Sequence, residues 1–238
     1  MATFGNFFRD LNRGLEPPVR QHLTNVYACL ALSTVTAGVG AYVDLVTQLA
    51  STSFFAAIAG VGLLLGLTST HDNGKNRYLR LGLLLGFSFC SGLGLGTLID
   101  YAITINPSII ITALISTAAI FVCFSIASLT AERGRWLYLG GTLLTFLTVL
   151  IGLSFANIFF GSQLLFQAYL YLGLALMCGF VLYDTQLIIE KRRQGDKDFI
   201  SHSIDLFVDL LGIFRRIVII LIQKEQHQQQ QSKKKRRD

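Results

Sequence analysis

The sequence predicts an all-α integral membrane protein, a seven-helix bundle with the last helix at its centre. Three observations carry that expectation. Charge is scarce: of 238 residues 52% are apolar and only 14% charged, against about 25% charged in a soluble domain, and the mean hydropathy is +0.55. The charges are also confined. No Asp, Glu, Lys or Arg occurs in 21–43, 45–70, 81–99, 101–131 or 136–183, and about 20 apolar residues suffice to cross the hydrocarbon as a helix. Finally, the bases fall in alternate connections. Helices are expected because backbone polar groups must be paired within lipid; the alternating segments of about 10 residues that mark an outer-membrane barrel are not seen.

In chain order the spans are expected at 25–43, 52–69, 80–99, 108–130, 136–156, 163–188 and 200–222. The long window 136–183 accommodates two spans with a break at Asn157 to Gly161. This divides the chain into an N-terminal cytosolic segment (1–24), a transmembrane domain (25–223) and a basic, disordered tail (224–238). Arg9, Arg13 and Arg20 precede span one with no apolar run, so no cleavable signal peptide is read. The tail has six bases and two acids, among them Lys233, Lys234, Lys235, Arg236 and Arg237, and suits anionic lipid headgroups better than nucleic acid. The Gln- and His-rich stretch before it reads as disordered.

Orientation follows from the bases. Lys75, Arg77 and Arg80 lie between spans two and three, Arg133 and Arg135 between four and five, and Lys191, Arg192, Arg193 and Lys197 between six and seven. The intervening connections have none, so the positive-inside rule places the N-terminus in the cytosol. Span seven strains the scheme. A full crossing puts the basic tail on the far side, whereas a re-entrant seventh segment returns it. With His202, Asp205, Asp209, Arg215 and Arg216, this helix cannot face lipid and should be ringed by the other six or line water.

The paired glycines Gly38/Gly40, Gly62/Gly66, Gly82/Gly86 and Gly92/Gly96 are expected to let helix backbones approach closely. Cys29, Cys90, Cys123 and Cys178 lie in apolar windows without zinc-site spacing and read as small hydrophobes. No cofactor is expected.

The chemistry is expected from acids inside the membrane, each costing about 2.5–3.5 kcal/mol near the bilayer centre on insertion scales. Asp184 lies late in span six; Asp205 and Asp209 lie early in span seven. Counted from the span ends, Asp184 is about 9 Å deep, Asp205 about 8 Å and Asp209 about 14 Å, so Asp184 could meet either. Asp205 and Asp209 are spaced to share a helix face. Two carboxyls in one dry site cannot both ionise cheaply and should share a proton, a latch whose loss of that proton repels or admits a cation. Calcium takes about six to eight oxygens, so the pair suits a transient site and a gate. The structural alternative pairs each acid with a base, Arg215 and Arg216 being nearest, with His202 near the same face. Asp44 and Asp100 are expected at the interface, with helix-end hydrogen bonds.

The stretches QHLTNVYACLALSTVTAGVGAYVDLVTQ, GFSFCSGLGLGTLIDYAITINPSIIITALISTAAIFVCFS, GFVLYDTQLIIEK and SIDLFVDLLGIFRR resemble the Bax inhibitor-1 family (transmembrane Bax inhibitor motif-containing proteins). The IDLFVD run and lysine-rich tail resemble its endoplasmic-reticulum branch more than the lifeguard branch, whose members carry a long proline-rich N-terminal extension. The resemblance implies a central last helix and suppression of stress-induced apoptosis. It implies a pH-sensitive calcium leak, calcium being the permeant ion, gated by an aspartate pair that maps to Asp184 and Asp209, with Asp205 a neighbouring acid. It implies anti-apoptotic Bcl-type proteins, inositol trisphosphate receptors and the ER-stress endoribonuclease sensor as partners, and self-association through the basic tail. Two departures stand out. The family's Gly-Pro in span three reads Gly96-Thr97, and span two lacks the Arg with which bacterial relatives complete the latch.

Three rival readings remain at this level. A non-conducting regulator would act only by binding membrane proteins. A cation/proton antiporter would follow an imposed proton gradient. An intramembrane aspartyl protease would need two carboxyls activating a water; Tyr183-Asp184 fits its first motif, but Leu206-Phe207-Val208 stands where GxG is required and no PAL follows.

Overall fold

The computed structural model describes residues 15–47 and 52–235, with side chains for 15–47 and 54–232. Helices account for nearly all of them: α1 (Pro17–Thr47), α2 (Thr52–Ser69), α3 (Arg77–Ile105), α4 (Ser108–Thr130), α5 (Leu139–Phe160), α6 (Gln163–Arg193) and α7 (Phe199–Lys235), with no strand among the described residues. Helices α1, α3, α4, α5 and α6 are long and apolar enough to cross a membrane. The expected spans match α2 and α4 end for end; α5 starts three residues later than expected, and the others run on by up to about three and a half turns where polar ends leave the hydrocarbon.

Local chemistry sets the breaks. Pro17 and Pro18 open α1, where proline's missing N–H costs nothing. Asn106 ends α3 in an extended conformation and accepts from the Ser108 amide at 3.0 Å, so Pro107 follows a stop rather than interrupting a helix. The break expected at Asn157 to Gly161 is a left-handed Gly161 (φ 57°) whose N–H donates to the Asn157 carbonyl, after which Ser162 caps α6. Asp198 caps α7 by accepting from the Ser201 amide at 3.1 Å.

The bundle is apolar outside and more polar within. Phe54, Phe55, Ile58, Phe155, Phe159 and Leu164 are among the large apolar side chains that stay exposed, whereas His22, Arg80, Gln186, His202 and Asp209 are buried. Helix α7 packs against α1, α3, α4 and α6, the central placement its polarity demands. It is continuous. Its first turn lies beside the start of α3, where Arg80 meets Asp198, and its later turns reach the end of α3, where Gln226 donates to the Tyr101 hydroxyl at 2.7 Å and Asn106 to Glu225 at 3.3 Å. Helix α7 therefore runs parallel to α3 from the near face, which carries the charged connections, to the far face. The re-entrant alternative is corrected: the helix does not turn back among the described residues.

Disorder from Lys224 onward is also corrected, because α7 continues through Lys235. Gln, Lys and Glu form helices readily once a packed helix supplies the nucleus. The side chains of Lys233, Lys234 and Lys235, and Arg236 and Arg237 entirely, lie outside the described residues.

Helices α1 and α3 approach most closely. A Cβ on Gly40 would strike the Phe89 carbonyl, one on Gly92 the Ala37 backbone, and one on Gly96 the Asp44 carboxylate. Asp44, three residues from the end of α1, is 6% exposed, seated in the slot that Gly96 leaves, while Asp100 is exposed at the far end of α3. Helix α3 passes through Gly96-Thr97 without interruption. Gly38, Gly62 and Gly82 face open space, which helical spacing alone does not distinguish. Gly92→Leu is expected to lower stability by about 3 kcal/mol or more through overpacking, and Gly82→Leu to change it by less than about 0.5 kcal/mol; thermal unfolding in detergent reads both.

Candidate functional site

The YDTQ run of α6 divides its labour by face. The Tyr183 ring packs against Gly140 of α5, where a Cβ would approach to 2.7 Å. Gln186, 5% exposed, ties down the α4–α5 connection. Its Oε1 accepts from the Trp136 amide at 2.7 Å, and its Nε2 donates to the Glu132 carbonyl at 3.1 Å and the Ser128 carbonyl at 3.4 Å. The Ser128 hydroxyl donates to the Leu182 carbonyl at 2.7 Å. These bonds fix the rotation of α6 and so aim Asp184 at α7. Gln186→Leu is expected to cost about 1–3 kcal/mol, since it strands a buried N–H and two carbonyls, and to lower the unfolding temperature more than Gln186→Glu, which keeps the Trp136 bond.

Asp184 and Asp209 meet within hydrogen-bonding reach of each other. Both lie about 14–15 Å along their helices from the near end, Asp184 counted back from Arg193 and Asp209 forward from Phe199. Because α6 ends on the charged run Glu190–Arg193, which leaves the hydrocarbon, both acids lie shallower than this within a layer about 30 Å thick. Asp209 is 4% exposed, and its Oδ2 has no donor among the described residues. Two carboxylates cannot sit in such contact fully ionised; one proton between them turns repulsion into a hydrogen bond. Asp205 is near enough for its charge to act on both, but its side chain is exposed on α7. The four-residue spacing puts it about 40° off the Asp209 direction and one turn nearer the end, outside the packed seam.

The expected charge partners lie elsewhere, which corrects that reading. Arg216 bends back to its own helix, its Nη1 donating to the Gly212 carbonyl at 3.2 Å, and its guanidinium lies over the Tyr169 ring at 5.5 Å. Arg215 forms no ion pair among the described residues. The His202 Nδ1 meets the Nε2 of His22 of α1 at 2.9 Å, and the His202 Nε2 is 3.5 Å from Asp196. The helix turn explains all three: Arg215 and Arg216 lie about two turns beyond Asp209, and His202 points to α1.

Two further fastenings were not foreseen. Arg80, counted as a loop base, is 2% exposed; its Nη2 donates to Asp198 at 2.5 Å and to Ser201 at 2.7 Å. Its place at the edge of an uncharged window was the available signal. The His22–His202 contact joins α1 to α7 nearby, and no local pattern announces a pair separated by most of the chain. Arg133 and Glu190 add a two-bond pair at 2.6 and 3.0 Å that holds the α4–α5 connection to α6.

No group of three His, Cys, Asp or Glu able to hold a metal is found among the described residues. Two facing carboxylates fall well short of the oxygens a stable calcium site takes. Cys29, Cys90, Cys123 and Cys178 are all free thiols.

The chain matches the family described as "Inhibitor of apoptosis-promoting Bax1" over residues 19–226. It is 47% identical over 204 residues to Bax inhibitor 1 of Homo sapiens, which covers 86% of each chain. It is 41% identical over 215 residues to Bax inhibitor 1 of Drosophila melanogaster, covering 90% of this chain and 87% of the other. It is 39% identical over 207 residues to Bax inhibitor 1 of Arabidopsis thaliana, covering 87% and 82% respectively. The matched stretch spans every helix of the bundle, and with it Arg80, Asp184, Gln186 and Asp209, so this multi-helix membrane protein belongs to the family of inhibitors of apoptosis-promoting Bax1.

Proposed function

We propose that the chain suppresses stress-induced apoptosis from the endoplasmic-reticulum membrane by leaking calcium through a pH-sensitive gate, the Asp184–Asp209 pair. One observation carries the reading: two carboxyls face each other inside the bundle with no cation in ion-pair contact among the described residues, Lys191 acting on Asp184 only at longer range. A permanently ion-paired acid would be structural, whereas an acid facing another acid changes its interaction with every proton gained or lost. With the pair sharing a proton, α6 and α7 are latched. Without it, two negative charges repel in a low dielectric and attract a divalent cation. Asp205, exposed one turn toward the near face, adds negative charge on the approach.

The near face is read as cytosolic, because it gathers the bases of three connections. Anti-apoptotic Bcl-type proteins, inositol trisphosphate receptors and the ER-stress endoribonuclease sensor are proposed partners on the strength of the family. Purified protein in calcium-loaded liposomes tests the conducting reading. Efflux above that of protein-free vesicles, changing between about pH 5 and 8, supports it. Vesicles no leakier than the blank would favour a regulator that only binds other proteins, and flux that follows an imposed proton gradient would mark an antiporter.

A further inference from the structure

We infer that the two arginines of α7 form a binding site for an anionic lipid, whose oxyanion headgroup meets Arg215 and Arg216 in a cavity between α2 and α7. The site lies apart from the aspartate pair and does not depend on whether that pair conducts. Helix α2 packs chiefly on α3, and beside it a cavity of about 720 Å³ is lined from α2, α3, α5, α6 and α7. Its walls are mostly apolar, with Ala56, Gly60, Phe87 and Phe166, and its only charged lining groups among the described residues are Arg215 and Arg216.

Those two guanidiniums lie inside the bilayer without a counter-charge. From Arg216 to Glu225, at the far face, the helix rises about 14 Å. Neither arginine pairs with a carboxylate among the described residues. A guanidinium carries five N–H donors, yet Arg216 meets only the Gly212 carbonyl of its own helix and the Tyr169 side chain, and its Nε is buried without an acceptor among the described residues. Nor is Arg216 free to reach for the interface. Its Nε occupies the space a Cβ on Gly173 would take, and Tyr169 covers one face. Glycine at 173 thus makes room for a cation that no carboxylate among the described residues neutralises.

An uncompensated charge at this depth is costly, and the unused donors define what relieves it. Guanidinium forks bind phosphate and carboxylate oxygens in pairs. The apolar lining suits an acyl chain better than a hydrated ion, and the volume falls in the ordinary range for a bound ligand. Phosphatidic acid, phosphatidylglycerol and a fatty-acid carboxylate share this chemistry; a zwitterionic lipid brings its own cation to a site that already has two.

The experiment uses the full chain purified in a neutral detergent, with thermal unfolding and native mass spectrometry as readouts. Short-chain phosphatidic acid, short-chain phosphatidylcholine and inorganic phosphate are titrated separately. Phosphatidic acid is expected to raise the unfolding temperature and stay bound in the mass spectrum, with the other two doing neither. In R215Q/R216Q its apparent affinity should fall about tenfold or more, and R215K/R216K should recover part of it. Should R216Q fail to fold, R215Q alone decides, because Arg215 is exposed and its removal leaves the packing intact; a loss of about threefold or more is expected. Lys197→Gln, at the near face, should leave the affinity unchanged. The site is refuted if phosphatidylcholine binds as tightly as phosphatidic acid, if inorganic phosphate stabilises equally, if the glutamine variants bind like the parent chain, or if Lys197→Gln weakens binding as much as they do.

Discussion

Asp209→Asn is expected to lower calcium efflux from reconstituted vesicles about tenfold or more and to flatten its dependence on pH. The substitution keeps the size of the side chain and replaces a titrating carboxyl with an amide. Asparagine donates to Asp184 whatever the pH, so the α6–α7 latch stays closed without a shared proton. It also removes half of the negative charge that would draw a divalent cation into the seam. Tenfold corresponds to about 1.4 kcal/mol of barrier, a small part of what a unit charge at this depth contributes even at an effective dielectric near 20. Asp205→Asn is expected to act weakly by comparison, because its side chain is exposed and makes no latch. Parallel efflux traces of the two variants at several pH values check both statements.

The second large effect is on stability. Arg80→Met is expected to lower the unfolding free energy by about 3 kcal/mol, near 6–12 °C in the midpoint for a chain of this length. It keeps the apolar stem and deletes the cation that joins α3 to the cap of α7. Asp198 then remains 21% exposed without its partner. Burial alone pushes the Asp198 carboxyl up, but the Arg80 guanidinium and the Ser201 hydroxyl and amide outweigh it and hold the acid below its ordinary value. An acid so lowered lends its full stability above the ordinary carboxylate range, about 3.9, and loses it as pH falls through the lowered value. The parent chain should therefore lose part of its midpoint below about pH 4, and Arg80→Met should lose less on the same acidification, having little of that pair left. Asp198→Asn retains a capping oxygen and should fall between the two.

Much of this bundle is written in one dimension. Charge-free windows reveal helices because the bilayer excludes charge everywhere along a lipid-facing span, and α2 and α4 match residue for residue for that reason. Helix α7 is legible by contradiction, since a segment with His202, Asp205, Asp209 and Arg216 is stable only if other helices surround it. What stays hidden is rotation about the helix axes. Spacing puts Asp205 and Asp209 on a common face, but the packing of α1, α3, α4 and α6 around α7 decides that Asp209 enters the seam and Asp205 stays outside. Arg80 reads as a loop base until α3 is seen to begin a turn earlier and bury it. His22 and His202 are 180 residues apart, and Gly92 differs from Gly82 only in what the neighbouring helix brings up to it.

The claim that Asp184 and Asp209 act as one proton-sharing unit is tested most directly by a double-substitution cycle on calcium efflux. Asp184→Asn, Asp209→Asn and the double variant are compared with the parent chain across about pH 5 to 8. Each single variant should lose the pH dependence completely, and the double variant should be no worse than either single. Single variants that keep the parent's pH profile, or losses that multiply in the double variant, would mean that the two carboxyls work independently and that no shared proton holds the gate.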